Sequence, residues 1–387
     1  VEIGKRKSGK YLPECIVHSE SSLGWGGQEH RTLTELVGFK RRGVSVGLIA
    51  SPKSILHQRA KEAGITTLDC RFSKFSMLAD VISLSLWLRG RGIKVLNTHS
   101  SRDGWVLGLA GRIAGIPLIV RTRHIDVDYP SPLLSMVAFR GLADHVLTTS
   151  DKITKHLQQV FHLENDRIST VPTGIDLQLF TLVGRRAEEI RKDPRVPLIG
   201  MVSVLRSWKG HSVFLRAVAA LKADGFGARY VIVGGGQSPA WIEEQIQGLG
   251  IGDVVHLAGH REDVPEVLRA LDLLVIPSTK HEGIPQIGLQ ALACKTAVIG
   301  SDIGGIPEII RHGETGRIYS SENPEALARA IRAAFLESGL TQQMKEAGRR
   351  LVEERHSTES MLDELEMLYG RYLPDWGKQR LGAGLSS

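Results

Sequence analysis

Leu273-Leu274-Val275-Ile276-Pro277-Ser278 leads through His281-Glu282-Gly283-Ile284-Pro285 into Gln286-Ile287-Gly288-Leu289-Gln290-Ala291-Leu292, and Ala297-Val298-Ile299-Gly300 follows. The first run is short, apolar and stopped by proline, which predicts a buried strand, Leu273–Ile276. The middle stretch predicts a helix opened by a proline, and the last run a second strand. A strand, a helix and a strand within residues 273–300 form one unit of a parallel sheet.

The same rhythm extends in both directions. Upstream in the second half, strands are predicted at Leu198–Val202, Ala228–Val233 and Val254–Leu257, with helices at Ser212–Ala223, Pro239–Leu249 and Pro324–Ser338. The first half repeats it, with strands at Cys15–His18, Val44–Ile49, Lys94–Asn97, Leu118–Arg121, His145–Thr149 and Ile168–Val171. Helices are predicted between them at Glu29–Arg41, Met77–Leu88 and Asp103–Ala114. The polar, charged segment Gly184–Arg195 separates the two series, so a boundary is expected within Phe180–Pro197. The fold class is α/β, with two Rossmann-like doubly wound parallel-sheet domains facing across a cleft. The first is expected over 1–183 and the second over 184–356, with a last helix, about 357–387, returning to the first.

Length and composition agree. The 387 residues are enough for two domains, and 42% hydrophobic with 24% charged residues is globular. No apolar run reaches the roughly 20 residues of a membrane span. Val1–Lys10 is basic without an apolar core, which predicts no signal peptide. Cys15, Cys70 and Cys294 are isolated and lack metal spacing, which fits a reducing compartment and excludes a disulfide or zinc scaffold. Residues 1–190 carry 26 basic and 18 acidic side chains, the remainder 23 and 24, so the basic character belongs to the first half. No zinc finger, RNP strand or basic helix directs that charge toward nucleic acid.

Several constellations could carry chemistry. Gly26-Gly27-Gln28-Glu29 joins a strand to a helix, where small residues and a positive helix end suit an anion. Arg206 and Lys209, in the turn after Leu198–Val202, offer a fork and a point charge to a diphosphate. Gly234-Gly235-Gly236 suggests a dinucleotide turn, but Pro239 stands where GxGxxG needs glycine. Glu282 can hold sugar hydroxyls, and Gly283 to Ile287 open a helix whose N–H groups can meet phosphate. Asp302-Ile303-Gly304-Gly305-Ile306-Pro307-Glu308 and His312-Gly313-Glu314-Thr315-Gly316 place further glycines beside a strand end. Asp126-Val127-Asp128 spells a metal–diphosphate motif of a different fold and is taken as a chance match.

In this order, the GGxE, KG, EGxP, GGIPE and HGxTG motifs resemble family 4 of the retaining glycosyltransferases, which have the GT-B fold. The resemblance spans nearly the whole chain. Asn97-Thr98-His99-Ser100-Ser101 and Arg121-Thr122-Arg123-His124 resemble its lipopolysaccharide and surface-polysaccharide branch. The resemblance implies that His124, Glu282, Arg206 and Lys209 are catalytic. It implies donor contacts from Gly26, Gly27, Arg206, Lys209, Arg261 (through its backbone), Glu282, Gly283, Ile284, Pro285, Gln286, Ile287 and Gln290. His99 and Arg102 are the candidate acceptor contacts. Two positions depart from the family pattern. The second carboxylate of its pair is Gln290 here, and the arginine usually five residues before the lysine is Val204, for which Arg206 is expected to substitute.

The implied reaction is front-side transfer with retention, needing neither cofactor nor metal. The implied partners are a nucleotide-sugar donor (UDP-sugar favoured over GDP- or ADP-sugar) and a glycan or lipid-linked acceptor. The basic first half suits a phosphorylated acceptor at an anionic membrane, on the cytoplasmic face of the inner membrane. The competing readings are a sugar-nucleotide epimerase and a non-catalytic relative that binds nucleotide sugar or glycan.

Overall fold

The computed structural model describes residues 15–73, 75–125, 129, 131–191, 193–236, 239–280 and 282–377. Asp126-Val127-Asp128 lies outside them. The chain forms two compact units, Val1–Gly174 with Thr358–Ser387, and Ile175–Ser357.

The first unit contains β1 (Cys15–Glu20), α1 (Gly27–Arg41), β2 (Ser45–Ala50), α2 (Ile55–Glu62), β3 (Thr66–Asp69), α3 (Met77–Leu88), β4 (Ile93–Thr98), α4 (Ser101–Ala114), β5 (Leu118–Arg123), α5 (Pro132–Met136), β6 (His145–Thr148), α6 (Asp151–Phe161) and β7 (Ile168–Thr170). A wider-wound turn, Val137–Leu142, continues α5. The seven strands are parallel, in the order β3-β2-β1-β4-β5-β6-β7.

The second unit contains β8 (Leu198–Val202), α7 (His211–Ala223), β9 (Arg229–Val233), α8 (Pro239–Gly248), β10 (Val255–Gly259), α9 (Val264–Ala270), β11 (Leu273–Ile276), α10 (Gln286–Ala293), β12 (Ala297–Ser301), α11 (Ile306–Ile309), β13 (Arg317–Tyr319), α12 (Pro324–Leu336) and α13 (Ser338–Arg355). Its sheet is also parallel, in the order β10-β9-β8-β11-β12-β13. The last helix, α14 (Thr358–Tyr372), belongs to the first unit. There Met361, Leu362, Leu365, Leu368 and Tyr369 join the core of Leu36, Phe39 and Leu48. A Cβ on Gly38 of α1 would stand 2.4 Å from Leu362, so the two helices meet at glycine distance.

Both sheets are doubly wound. Their order reverses between β1 and β4 in one unit and between β8 and β11 in the other, and such folds bind ligands beyond the strand ends at that reversal. Central strands are buried on both faces: β11 is apolar throughout, whereas β1 is apolar over Cys15–Val17 and then buries the polar His18, Ser19 and Glu20.

The structure corrects two sequence expectations and adds two strands. The chain divides after Gly174 rather than at 183/184. The charged segment Gly184–Arg195 is not a spacer, because its Ala187 and Ile190 are buried in the second unit's core together with Ile175 and Phe180 before it, packed with Leu268 and Leu289. Strands β3 and β13 escaped sequence analysis; both are short edge strands.

Candidate functional site

In the second unit, the turn after β8 and the loop after β11 meet at the reversal point. Ser207–Lys209 form one short helical turn that ends at Gly210, with φ +78°. A Cβ there would lie 1.8 Å from the carbonyl oxygen of Pro277, so only glycine lets the turn press on the end of β11. The Thr279 N–H donates to the Trp208 carbonyl at 2.8 Å, locking turn to loop. Lys209 Nζ thereby reaches both carboxylate oxygens of Glu282, at 2.7 and 2.9 Å. Ser278 Oγ donates to the same carboxylate at 2.6 Å. Glu282 is buried, and its backbone is pinned from behind by Gly304-Gly305. Gly304 has φ +61°, a Cβ there would come 1.9 Å from the Glu282 carbonyl oxygen, and the Gly305 N–H donates to that oxygen at 3.2 Å.

Gly283, Ile284 and Pro285 then lead into α10. Gln286 and Ile287 form its first turn and the half-buried Gln290 its second, four residues from Gln286 on the same face. A helix start carries partial positive charge. Arg206 is not brought to Glu282; it is exposed, its guanidinium 5.1 Å from the Trp208 ring centre. The Arg261 side chain is committed to Asp263 (Nε to Oδ1, 2.8 Å) and Glu189, which leaves its backbone for any ligand role. The His312-to-Gly316 motif builds the turn into β13: Thr315 Oγ1 donates to the Ile309 carbonyl at 2.7 Å, and His312 Nδ1 accepts the Ile318 N–H at 3.1 Å. Gly234-Gly235-Gly236 runs against the turn after β8, with the Leu205 N–H on the Gly235 carbonyl at 3.0 Å.

The first unit gathers polar groups at its own reversal point. Three histidines form a stacked row: His18 Nδ1 is 2.8 Å from His99 Nε2, and His99 Nδ1 is 2.8 Å from His124 Nε2. Successive ring centres are 5.0 and 5.1 Å apart. Glu35, held by Arg31 Nε at 2.6 Å, places Oε2 3.8 Å from His18 Nδ1. Burial and the nearby Arg31 cation push all three histidines well down, His18 to about 3, so the row is neutral near pH 7. The hydrogen-bond polarity follows. If protons ran toward His18, its Nε2–H would be a buried donor with no acceptor, and its Nδ1 lone pair would face the carboxylate. The opposite polarity has His18 donating to His99 and His99 to His124, and leaves Nδ1–H on His124 as its outward donor. His18, Glu35 and His99 also bring three metal-capable atoms within 4.8 Å of one another.

Two carboxyl groups lie alongside. Asp103 caps α4, accepting from the His99 N–H (2.9 Å), the Ser100 N–H (3.0 Å) and Ser19 Oγ (2.9 Å). Glu20, at the end of β1, accepts from the Ser22 N–H at 2.7 Å and from Gln28 and Ser100. Burial, then the Asp103 charge, raises the Glu20 carboxyl to about 8. Gly26 caps α1; its φ is −150°, and a Cβ there would touch only Glu29 Oε2 at 3.5 Å. Gly27 begins α1, and Arg102 is exposed in the first turn of α4.

The structure therefore joins Lys209 with Glu282 in one unit, and His99 with His124 in the other. His99 is corrected as an acceptor contact: it is 1% exposed and both ring nitrogens are engaged, so its work is to hold His124. Sequence reasoning missed His18, Glu20, Glu35 and Asp103. The available signal was His18-Ser19-Glu20, a polar run ending an otherwise apolar strand.

Two family models match this chain, "Glycosyltransferase Family 4" over residues 25–179 and "Glycosyl transferases group 1" over residues 185–351. D-inositol 3-phosphate glycosyltransferase of Mycobacterium ulcerans is 28% identical over 271 residues, covering 65% of this chain and 55% of that protein. The chain thus spans little more than half the length of that relative. Among solved structures, a glycosyltransferase from Rickettsia africae superposes with TM-score 0.84 at 22% identity, covering 94% of this chain and 99% of that one. An Anabaena protein in complex with UDP and glucose superposes with TM-score 0.78 at 17% identity, covering 92% and 100%.

Proposed function

Because the chain belongs to glycosyltransferase family 4, a GT-B fold family, we propose that it moves a hexosyl group from a nucleotide sugar to a glycan or glycolipid acceptor, with retention. The observation that carries the proposal is the Lys209–Glu282 pair beside the start of α10, at the reversal point of the second sheet. Lys209 neutralises the donor diphosphate, the α10 N-terminus adds partial positive charge, and Glu282 accepts from sugar hydroxyls. Gln290 binds ribose hydroxyls, which an amide serves as donor and acceptor. Arg206 swings from Trp208 to the diphosphate, in place of an arginine at position 204. UDP is the favoured nucleotide, as in the Anabaena neighbour.

The acceptor oxygen attacks the anomeric carbon on the face the diphosphate leaves. Its proton passes to the departing phosphate oxygen as the carbon–oxygen bond breaks. The chain's residues act by position and charge: within the first unit, the Nδ1–H of His124 is a donor suited to a sugar hydroxyl, and Gly26 presents no side chain. With protein cations on the leaving group, the reaction proceeds without metal.

The acceptor side suits a lipid-linked glycan, as in lipopolysaccharide or surface-polysaccharide assembly on the cytoplasmic face of the inner membrane. Leu78, Ile82 and Leu86 lie four residues apart on α3 and are 74%, 52% and 63% exposed, with a fully exposed Phe75 before them and Arg71 and Arg89 nearby. Such a face rests on an anionic bilayer. Among the described residues no helix is long and apolar enough to cross one.

Thermal unfolding with UDP-, GDP-, ADP- and CMP-sugars, each with and without chelator, tests the donor assignment. One selective, chelator-insensitive shift is expected, lost in Glu282→Ala. No shift with any nucleotide sugar overturns the reading. Failure of the purified chain to bind anionic vesicles at low salt overturns the membrane part alone.

A further inference from the structure

Arg121 and Arg123 lie on one face of β5, opposite the face that carries Thr122, whose hydroxyl is bound to Asn97. They are 5% and 7% exposed. Among the described residues neither guanidinium has a carboxylate within ion-pair distance, and Nε and Nη1 of Arg121 and Nε of Arg123 are buried without acceptors. Arginine is rarely buried unless paired. Here two neighbouring cations are buried together, and burial, then the Arg123 charge, pushes the Arg121 guanidinium down to about 10.

The surroundings are built around them. Arg121 is held between the Phe139 ring, 4.6 Å away, and the backbone of Gly104 in the first turn of α4, where a Cβ would stand 2.2 Å from Nη1. Arg123 lies 5.8 Å from the ring centre of Tyr129, which packs edge-on against Phe139. The Asp103 carboxylate contributes to the field at Arg121, but its oxygens are taken by Ser19 and the amides of His99 and Ser100. The aromatic wall and the glycine fix two forks, three of whose nitrogens are buried without acceptors. That is a preorganised oxyanion receptor.

We propose that Arg121 and Arg123 form a phosphoryl-binding site in the first unit. A phosphoryl dianion matches two guanidinium charges; a carboxylate matches one. The group is a phosphate ester on the sugar acceptor or free inorganic phosphate. The ester source rests on the transferase reading, whereas the site itself does not.

The test is direct binding, without donor or turnover. Inorganic phosphate, glycerol 3-phosphate and glycerol are titrated at constant ionic strength, with chloride and acetate as controls. The readouts are calorimetry and the arginine Nε–H resonances. The expected result is saturable binding of the phosphates alone, shifting the Arg121 and Arg123 signals. Arg123→Gln weakens it at least tenfold. Gly104→Ala, which keeps both charges and displaces the Arg121 fork, does the same with an unchanged circular dichroism spectrum. Glycerol 3-phosphate binding tenfold tighter than phosphate assigns the ester; equal or weaker binding assigns free phosphate. No saturation, equal binding of acetate, or unchanged affinity in both variants overturns the site.

Discussion

The Lys209–Glu282 contact predicts a measurable coupling energy whose two halves are unequal. The Lys209 side chain is 22% exposed and that of Glu282 9%, so the pair lies between surface bridges, worth about 0–1 kcal/mol, and buried ones, whose breakage costs about 3–5 kcal/mol. Lys209→Met leaves the more buried carboxylate with only the Ser278 hydroxyl among its observed side-chain donors. That variant is expected to lose about 2–3 kcal/mol, in proportion to the stranded charge. Glu282→Gln keeps an amide oxygen for Lys209 and strands a lysine with more access to water. Its expected loss is about 1–2 kcal/mol. The double variant removes both charges and is expected to fall short of the sum by about 1–2 kcal/mol.

The assay is urea unfolding of the four proteins, followed by fluorescence in a background where Trp208, in the Lys209 turn, dominates the signal. It is repeated with saturating UDP-sugar. Without ligand, coupling of 1 kcal/mol or more is expected, with Lys209→Met the less stable single variant. With ligand, the coupling shrinks, because the diphosphate shares the ammonium. Additive losses would show that the 2.7 Å contact carries no energy, and the argument that Lys209 and Glu282 work as one unit would fall. A larger loss from Glu282→Gln would refute the burial argument.

Other outcomes can be checked independently. Gly304→Ala forces a Cβ to within 1.9 Å of the Glu282 carbonyl at a left-handed backbone position; the left-handed strain alone costs about 1–2 kcal/mol, and donor affinity is expected to fall with stability in a thermal-shift titration. Glu20 is raised from 4.5 to about 8, so its contribution to stability is full below pH 4.5 and is lost as pH rises toward 8; the melting temperature should decline from pH 6.5 to 8, and Glu20→Gln should flatten that decline. His18, His99 and His124 are lowered, so their contribution is full above pH 6.5 and falls away below it, at up to about 1.4 kcal/mol per pH unit for each; proton uptake on unfolding at pH 5.5, measured by calorimetry in two buffers, should drop in His18→Phe. Long-range nitrogen–proton spectra should show His124 protonated at Nδ1, and His18→Phe should release that tautomer.

What was legible in the sequence follows from where each signal is stored. Strand β11 is four consecutive apolar residues before a proline, and its burial on both faces is written in that run. Strand β3 is Thr-Thr-Leu-Asp at a half-exposed sheet edge, where nothing selects a continuous apolar run. The segment after Gly174 was misread because its charges outnumber the four apolar residues that actually anchor it. Lys209 and Glu282 were readable since their supporting glycines leave a local trace. Gly210 and Gly304 are demanded by backbone contacts and stand within sequence motifs.

The histidine row leaves no such trace. His18, His99 and His124 are separated by 81 and 25 residues, and only the sheet order puts them in register. Strands β1 and β4 are neighbours because the winding reverses between them, and β5 follows β4, so three strand ends deliver three imidazoles to one row. The reversal point also explains why their partners are buried charges. Parallel strands end there with α1 and α4 starting on opposite sides, so Glu35 and Asp103 can enter the layer from both helices. A polar network of this kind holds one hydrogen-bond polarity only while every member is present. Changing a residue as far from the outward His124 nitrogen as Glu35 should therefore alter its tautomer before it alters the fold of the strands themselves.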